Sequence, residues 1–159
     1  MPVKEKLLST SAPRATVIIR ALAGGVFLLE GIKKFLFVEQ WGAGRFLRIG
    51  IPSPHVLAPF VGVVEILGGL LLLGGLLTRL ASIALMIDIS VAIVSTKIPI
   101  LLKSGFWPME AEARTDYSML LALLFLLIVG AGPWSLDARL SRSSGDSPQG
   151  AKSAEAREP

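Results

Sequence analysis

Residues Pro54–Arg79 read PHVLAPFVGVVEILGGLLLLGGLLTR, and this stretch decides the fold. From His55 to Thr78 it is almost wholly apolar for about 22 residues, the length a helix needs to cross a hydrocarbon core of roughly 30 Å. One carboxylate, Glu65, interrupts it near the middle, where an ionised side chain costs at least about 2.5–3.5 kcal/mol. Gly62, Glu65 and Gly69 share one helical face, since i, i+3 and i+7 superimpose at 3.6 residues per turn. Glycines beside a buried acid let a neighbouring backbone come close, as small residues do where membrane helices touch. The spacing therefore predicts that Glu65 faces protein, not lipid.

The rest of the chain agrees with a membrane protein. At 159 residues, 52% hydrophobic, with a mean hydropathy of +0.65, it is too apolar for a soluble domain of this size to bury. The net charge of +4 does not point to nucleic acid. The basic residues flank apolar runs instead of interleaving with exposed aromatics, which is a membrane-anchoring pattern. With no cysteine and a single histidine, thiolate-bound iron–sulfur clusters, Cys-x-x-Cys redox pairs and bis-histidine haem are all excluded within one chain. Redox chemistry, if this chain takes part in any, falls to a quinone or to a partner subunit.

Outward from the central stretch, three more apolar runs appear. Residues 1–14 are a polar N-terminal segment with Lys4, Lys6 and Arg14, followed by Ala15–Val38, a run too long for a cleavable signal core. That first span carries Arg20, Glu30, Lys33 and Lys34, with Arg20, Gly24, Phe27, Gly31 and Lys34 along one stripe. Glu39–His55 reads as a short interfacial helix with Trp41 at headgroup level. Only Thr78 and Arg79 separate the second span from a third at about Leu80–Leu102, so the two form a tight hairpin. Along the third span, Ala81, Ala84, Asp88, Ala92 and Ser95 form a stripe of small residues around an acid, and Pro99 kinks or ends the helix. Lys103–Asp116 reads as a polar loop, Tyr117–Gly132 as a fourth span, and residues 141–159 as a disordered tail. The expected architecture is an all-α four-helix membrane bundle over residues 15–140. Both termini then share one side, assigned to the cytoplasm of the cell membrane because the first span usually dominates orientation.

Depth along each helix suggests which charges meet. Lys33 or Lys34 can reach Glu65, and Arg20 and Asp88 are expected to pair if spans one and three are neighbours. The acids Glu30, Glu65 and Asp88 are thus balanced by Arg20, Lys33 and Lys34, as desolvated charge requires. Such a set is structural glue, a binding pocket for a polar headgroup, or a proton path. A pocket holds its polar groups at one depth, whereas a path strings them across the bilayer. No histidine, cysteine or carboxylate spacing suggests a metal.

The first-span pattern GGVFLLEGIKKF, the loop IGIPSP, the stretch GVVEILGGLLLLGGLLTRLAS and the close GAGPWSLDARL together resemble the DoxX/DoxD-like family of small four-span membrane proteins. The resemblance runs from about Arg20 to Arg139. It implies an accessory subunit of a quinone-linked membrane redox complex concerned with sulfur compounds or oxidative stress, with partner redox subunits or further copies of itself. The bare residues leave open two alternatives, a proton-coupled carrier using Glu65 and Asp88 and a scaffold without a ligand.

Overall fold

A computed structural model describes residues 13–145, and these are mostly helical with no strand among them. The helices are α1 (Thr16–Leu36), α2 (Ala43–Arg48), α3 (Pro54–Gly74), α4 (Thr78–Ala92), α5 (Ile98–Ser104), α6 (Phe106–Val129) and α7 (Leu136–Gly145). A π-helical segment, Ile93–Lys97, joins α4 to α5 without a break, giving one rod from Thr78 to Ser104. Two rods, Pro54–Gly74 and Thr78–Ser104, are long and apolar enough to cross a membrane. α1 and α6 have comparable length but carry most of their charges bunched towards one end.

α1 and α3 lie backbone against backbone, through the glycines that the sequence placed on facing stripes. A Cβ added at Gly69 would sit 2.7 Å from the Leu28 amide nitrogen and 2.8 Å from the Gly24 carbonyl oxygen. One added at Gly31 would sit 2.7 Å from the Gly62 carbonyl oxygen. Only hydrogen fits at either crossing point, which is why this interface is built of glycine. Gly68, a step round α3, takes the Leu85 side chain of α4 instead. Around these contacts Phe27, Leu72, Leu85, Leu123 and Leu126 close the core. Large apolar side chains such as Ile18, Leu29, Phe60, Leu67, Ile87 and Ile128 are left on the outside. An outer surface of that kind suits hydrocarbon, not water.

Five local expectations are corrected. Thr78 begins α4 and is not part of the connection, which is residues 75–77. There Gly75 takes φ 65° and Leu77 φ 48°, and the Leu76 amide bonds back to the Leu71 carbonyl at 2.9 Å, closing α3 with a Schellman-type turn. Of the two expectations for Pro99, an end to the helix is not met, while the regular α-helix is interrupted just before it by the π segment. Pro99 falls in the first turn of α5, and the widened π turn just ahead absorbs the amide it lacks. Lys103–Asp116 is not a loop. After Gly105 (φ 87°) the chain re-enters a helix at Phe106, because Met109, Glu110, Ala111, Glu112 and Ala113 are all strong helix formers. Finally, the buried stripe of α4 is Ala81, Ser82, Leu85 and Ile89, with Ala84 exposed. At the C-terminal end, α7 continues to Gly145, into the stretch expected to be tail. The N-terminal segment up to residue 12 and residues 146–159 lie outside the described residues.

Candidate functional site

The α3–α4 hairpin sets the site. Glu65 lies eleven residues before Leu76 and Asp88 eleven residues after Leu77. In an antiparallel pair with equal rise per residue, those positions stand at the same level. Accordingly, the Glu65 and Asp88 side chains border the same cavity. From α1, Lys34 places its Nζ 2.5 Å from Glu65 Oε2, with side-chain exposures of 11% and 7%. The expected Glu65–lysine contact is therefore made by Lys34. Lys33, one residue back, turns away. It pairs with Glu30 of its own helix at 2.6 Å and lies 4.5 Å from the Trp41 ring centre.

These groups border one cavity of about 460 Å³, within the range of small-molecule sites. Glu65, Asp88, Lys34, Lys33 and Glu30 form its polar part, while Phe27, Val61, Ile89 and Met119 supply apolar wall. Its far side is made by residues that the sequence reading did not connect. Lys97, 6% exposed, points inward from the π segment, 3.1 Å from Asp116 and 3.8 Å from Glu112 of α6. A sequence signal existed in part, since Glu112 and Asp116 are one turn apart on a helix face. The π turn that rotates Lys97 towards them leaves no comparable trace. Trp41 and Arg45 complete the rim.

Arg20 does not join this set, and the expected Arg20–Asp88 pair is not formed. α1 runs antiparallel to α3, which carries Arg20 to the hairpin end, a whole helix half away from Asp88. There it is 2% exposed and donates to four backbone carbonyls. Nε bonds Leu72 at 2.9 Å and Nη2 bonds Leu73 at 2.8 Å, while Nη1 bonds Ala131 at 2.9 Å and Trp134 at 2.8 Å. A guanidinium there supplies donors to carbonyls at the end of α3 and in the turn before α7. Next to it, Asp137 caps the start of α4: its carboxylate accepts the Leu77 amide at 2.7 Å and the Thr78 amide at 3.0 Å. Ser135 caps α7 in turn, accepting the Ala138 amide at 3.1 Å. The hairpin end is thus a closed network of backbone groups, and the free chemistry is gathered at the other end.

An all-helical chain with apolar outer faces and a charge-bordered internal cavity defines a small multi-helix membrane protein. Comparison with known proteins gives the particular group: residues 15–98 match the DoxX family, and the chain belongs to it. A relative in Mycobacterium tuberculosis, "Uncharacterized membrane protein Rv3486", is 51% identical over 147 residues, covering 89% of this chain and 90% of the relative. A second, "Putative oxidoreductase CatD" of Bacillus subtilis, is 31% identical over 123 residues, covering 77% of this chain and 84% of that protein. No solved structure matches the chain.

Proposed function

We propose that the chain is a four-span subunit of the cell membrane whose inner cavity holds a quinone headgroup, and that it serves as an accessory subunit of a membrane redox complex. In this reading α1 (21 residues) and α6 (24 residues) cross the bilayer beside the two more apolar rods. Both ends of the 15–140 domain then lie on the cytoplasmic face, and redox partners or a second copy assemble around it. The observation that carries the proposal is that Glu65, Asp88 and Lys34 stand at one level and border one cavity. A translocation path would need Arg20 or another group to extend the series across the bilayer, and Arg20 is consumed by backbone carbonyls.

The cavity suits the head of a quinone. Lys34 offers a donor to a carbonyl oxygen, the carboxyl pair exchanges a proton with its surroundings, and Phe27, Ile89 and Met119 face a flat apolar ring. When bound, a quinone supplies two-electron, two-proton chemistry. Lacking cysteine, the chain's own residues bind and orient while electrons come from partners. The similarity to an oxidoreductase-named relative points the same way. The test is the quinone content of protein purified in mild detergent. Wild type is expected to retain quinone well above an unrelated four-helix membrane protein handled alike, and Glu65→Gln to lose it while folding normally. Wild type at the background level would refute the proposal.

A further inference from the structure

Outside the quinone cavity and sharing its rim is a second, larger hollow of about 660 Å³. Its charge is one-sided: Arg45, Arg48, Lys97 and Lys103 border it against the single carboxylate Glu112. Lys97 is already answered by Asp116 and Glu112. The other three cations have no carboxylate partner among the described residues. Arg48 is held in place by donating to the Glu39 and Gln40 carbonyl oxygens at 2.8 and 3.1 Å. Arg45 lies over the Trp41 ring, 5.2 Å from its centre. Lys103 is exposed.

We propose that this hollow is a binding site for a phosphate-class anion, supplied by the headgroup of an anionic lipid or by a soluble phosphate ester. Three uncompensated cations converging on one concavity repel each other until an anion joins them, and two of them are immobilised guanidiniums, whose forked donors match phosphate oxygens. Basic flanks of a membrane protein are ordinarily dispersed. These are gathered into a hollow, whereas at the opposite end Arg20 and Arg79 are turned onto backbone carbonyls. Basic hollows between membrane helices are places where lipid headgroups bind. Trp41 on the rim, a residue type that settles at the headgroup level, puts the hollow where phosphates are densest.

The proposal goes beyond the quinone reading and is tested on residues that do not border the inner cavity. Thermal unfolding of the purified full-length protein in neutral detergent is followed with added phosphatidylglycerol, phosphatidylcholine of the same chains, or glycerol 3-phosphate. Phosphatidylglycerol is expected to raise the melting temperature and phosphatidylcholine not to. Lys103→Gln, and separately Arg48→Gln/Lys103→Gln, should weaken the apparent affinity about fivefold per cation removed. The control Arg114→Gln/Arg139→Gln should behave as wild type. A variant-sensitive shift with glycerol 3-phosphate as well assigns the site to soluble phosphate esters, and one with phosphatidylglycerol alone assigns it to lipid. No shift with either anion, or an equal loss in the control pair, overturns the proposal. Lys103, exposed and unpaired, keeps the test valid if the Arg48 variant fails to fold.

Discussion

Replacing Asp137 by alanine should be among the most damaging single changes in the chain, although the residue lies far from the cavity. Its carboxylate, 2% exposed, holds the Leu77 and Thr78 amides at 2.7 and 3.0 Å, and Thr78 is itself fully buried. Hydrogen bonds to a charged group contribute about 1.5–3 kcal/mol each, and alanine leaves both amides without an acceptor. The favourable interaction of a carboxylate with the start of α4 adds about 0.5 kcal/mol. A total of about 3–5 kcal/mol follows once partial relaxation is allowed for. Asp137→Asn keeps one acceptor oxygen in the same place and should cost about half as much. Reversible unfolding in mixed micelles, followed by tryptophan fluorescence, measures both. An alanine variant that loses less than about 1 kcal/mol, or an asparagine variant as unstable as alanine, would refute the capping account.

Four further outcomes are expected. Gly69→Val drives a side chain into the backbone of α1 and should cost at least about 2–3 kcal/mol. Gly25→Ala, where a Cβ meets nothing within 4 Å, should be neutral or stabilising in the same unfolding assay. Leu77→Gly relieves a left-handed backbone (φ 48°) and should raise stability by about 0.5–1 kcal/mol, and a loss would show that the Leu77 side chain matters more than its strain. Lys97→Met strands Asp116, so the double variant Lys97→Met/Asp116→Leu should be more stable than the two single losses sum to, by at least about 1.5 kcal/mol.

Much of the architecture was legible in the residues because its causes are local. The Gly62–Glu65–Gly69 face of α3 and the Gly24–Gly31 stripe of α1 are helical periodicities, and they meet as those spacings require. The contact of Glu65 with Lys34 follows from depth and reach along two antiparallel helices. What the sequence misled on depended on measuring depth from inconsistent ends. Counted outward from the hairpin turn, Glu65 and Asp88 fall level with each other, and Arg20 falls level with the turn. Hydropathy alone turned Phe106–Asp116 into a loop, although its residues favour a helix. The π segment that aims Lys97 at Asp116 is a tertiary compromise beside Pro99, with no local signature to announce it. The ring of Trp41 taking Lys33 and Arg45 on its face needed the fold as well.

The central claim is that the ligand's head sits between Glu65, Asp88 and Lys34. Photolabelling of the purified protein with a photoreactive quinone analogue, followed by peptide mapping, tests it most directly. Labels are expected on α3 and α4 around Val61–Glu65 and Asp88–Ala92, falling sharply in Glu65→Gln and competed away by unlabelled quinone. Labels confined to outward residues such as Ile87 and Ile128, unchanged by the substitution, would contradict the account.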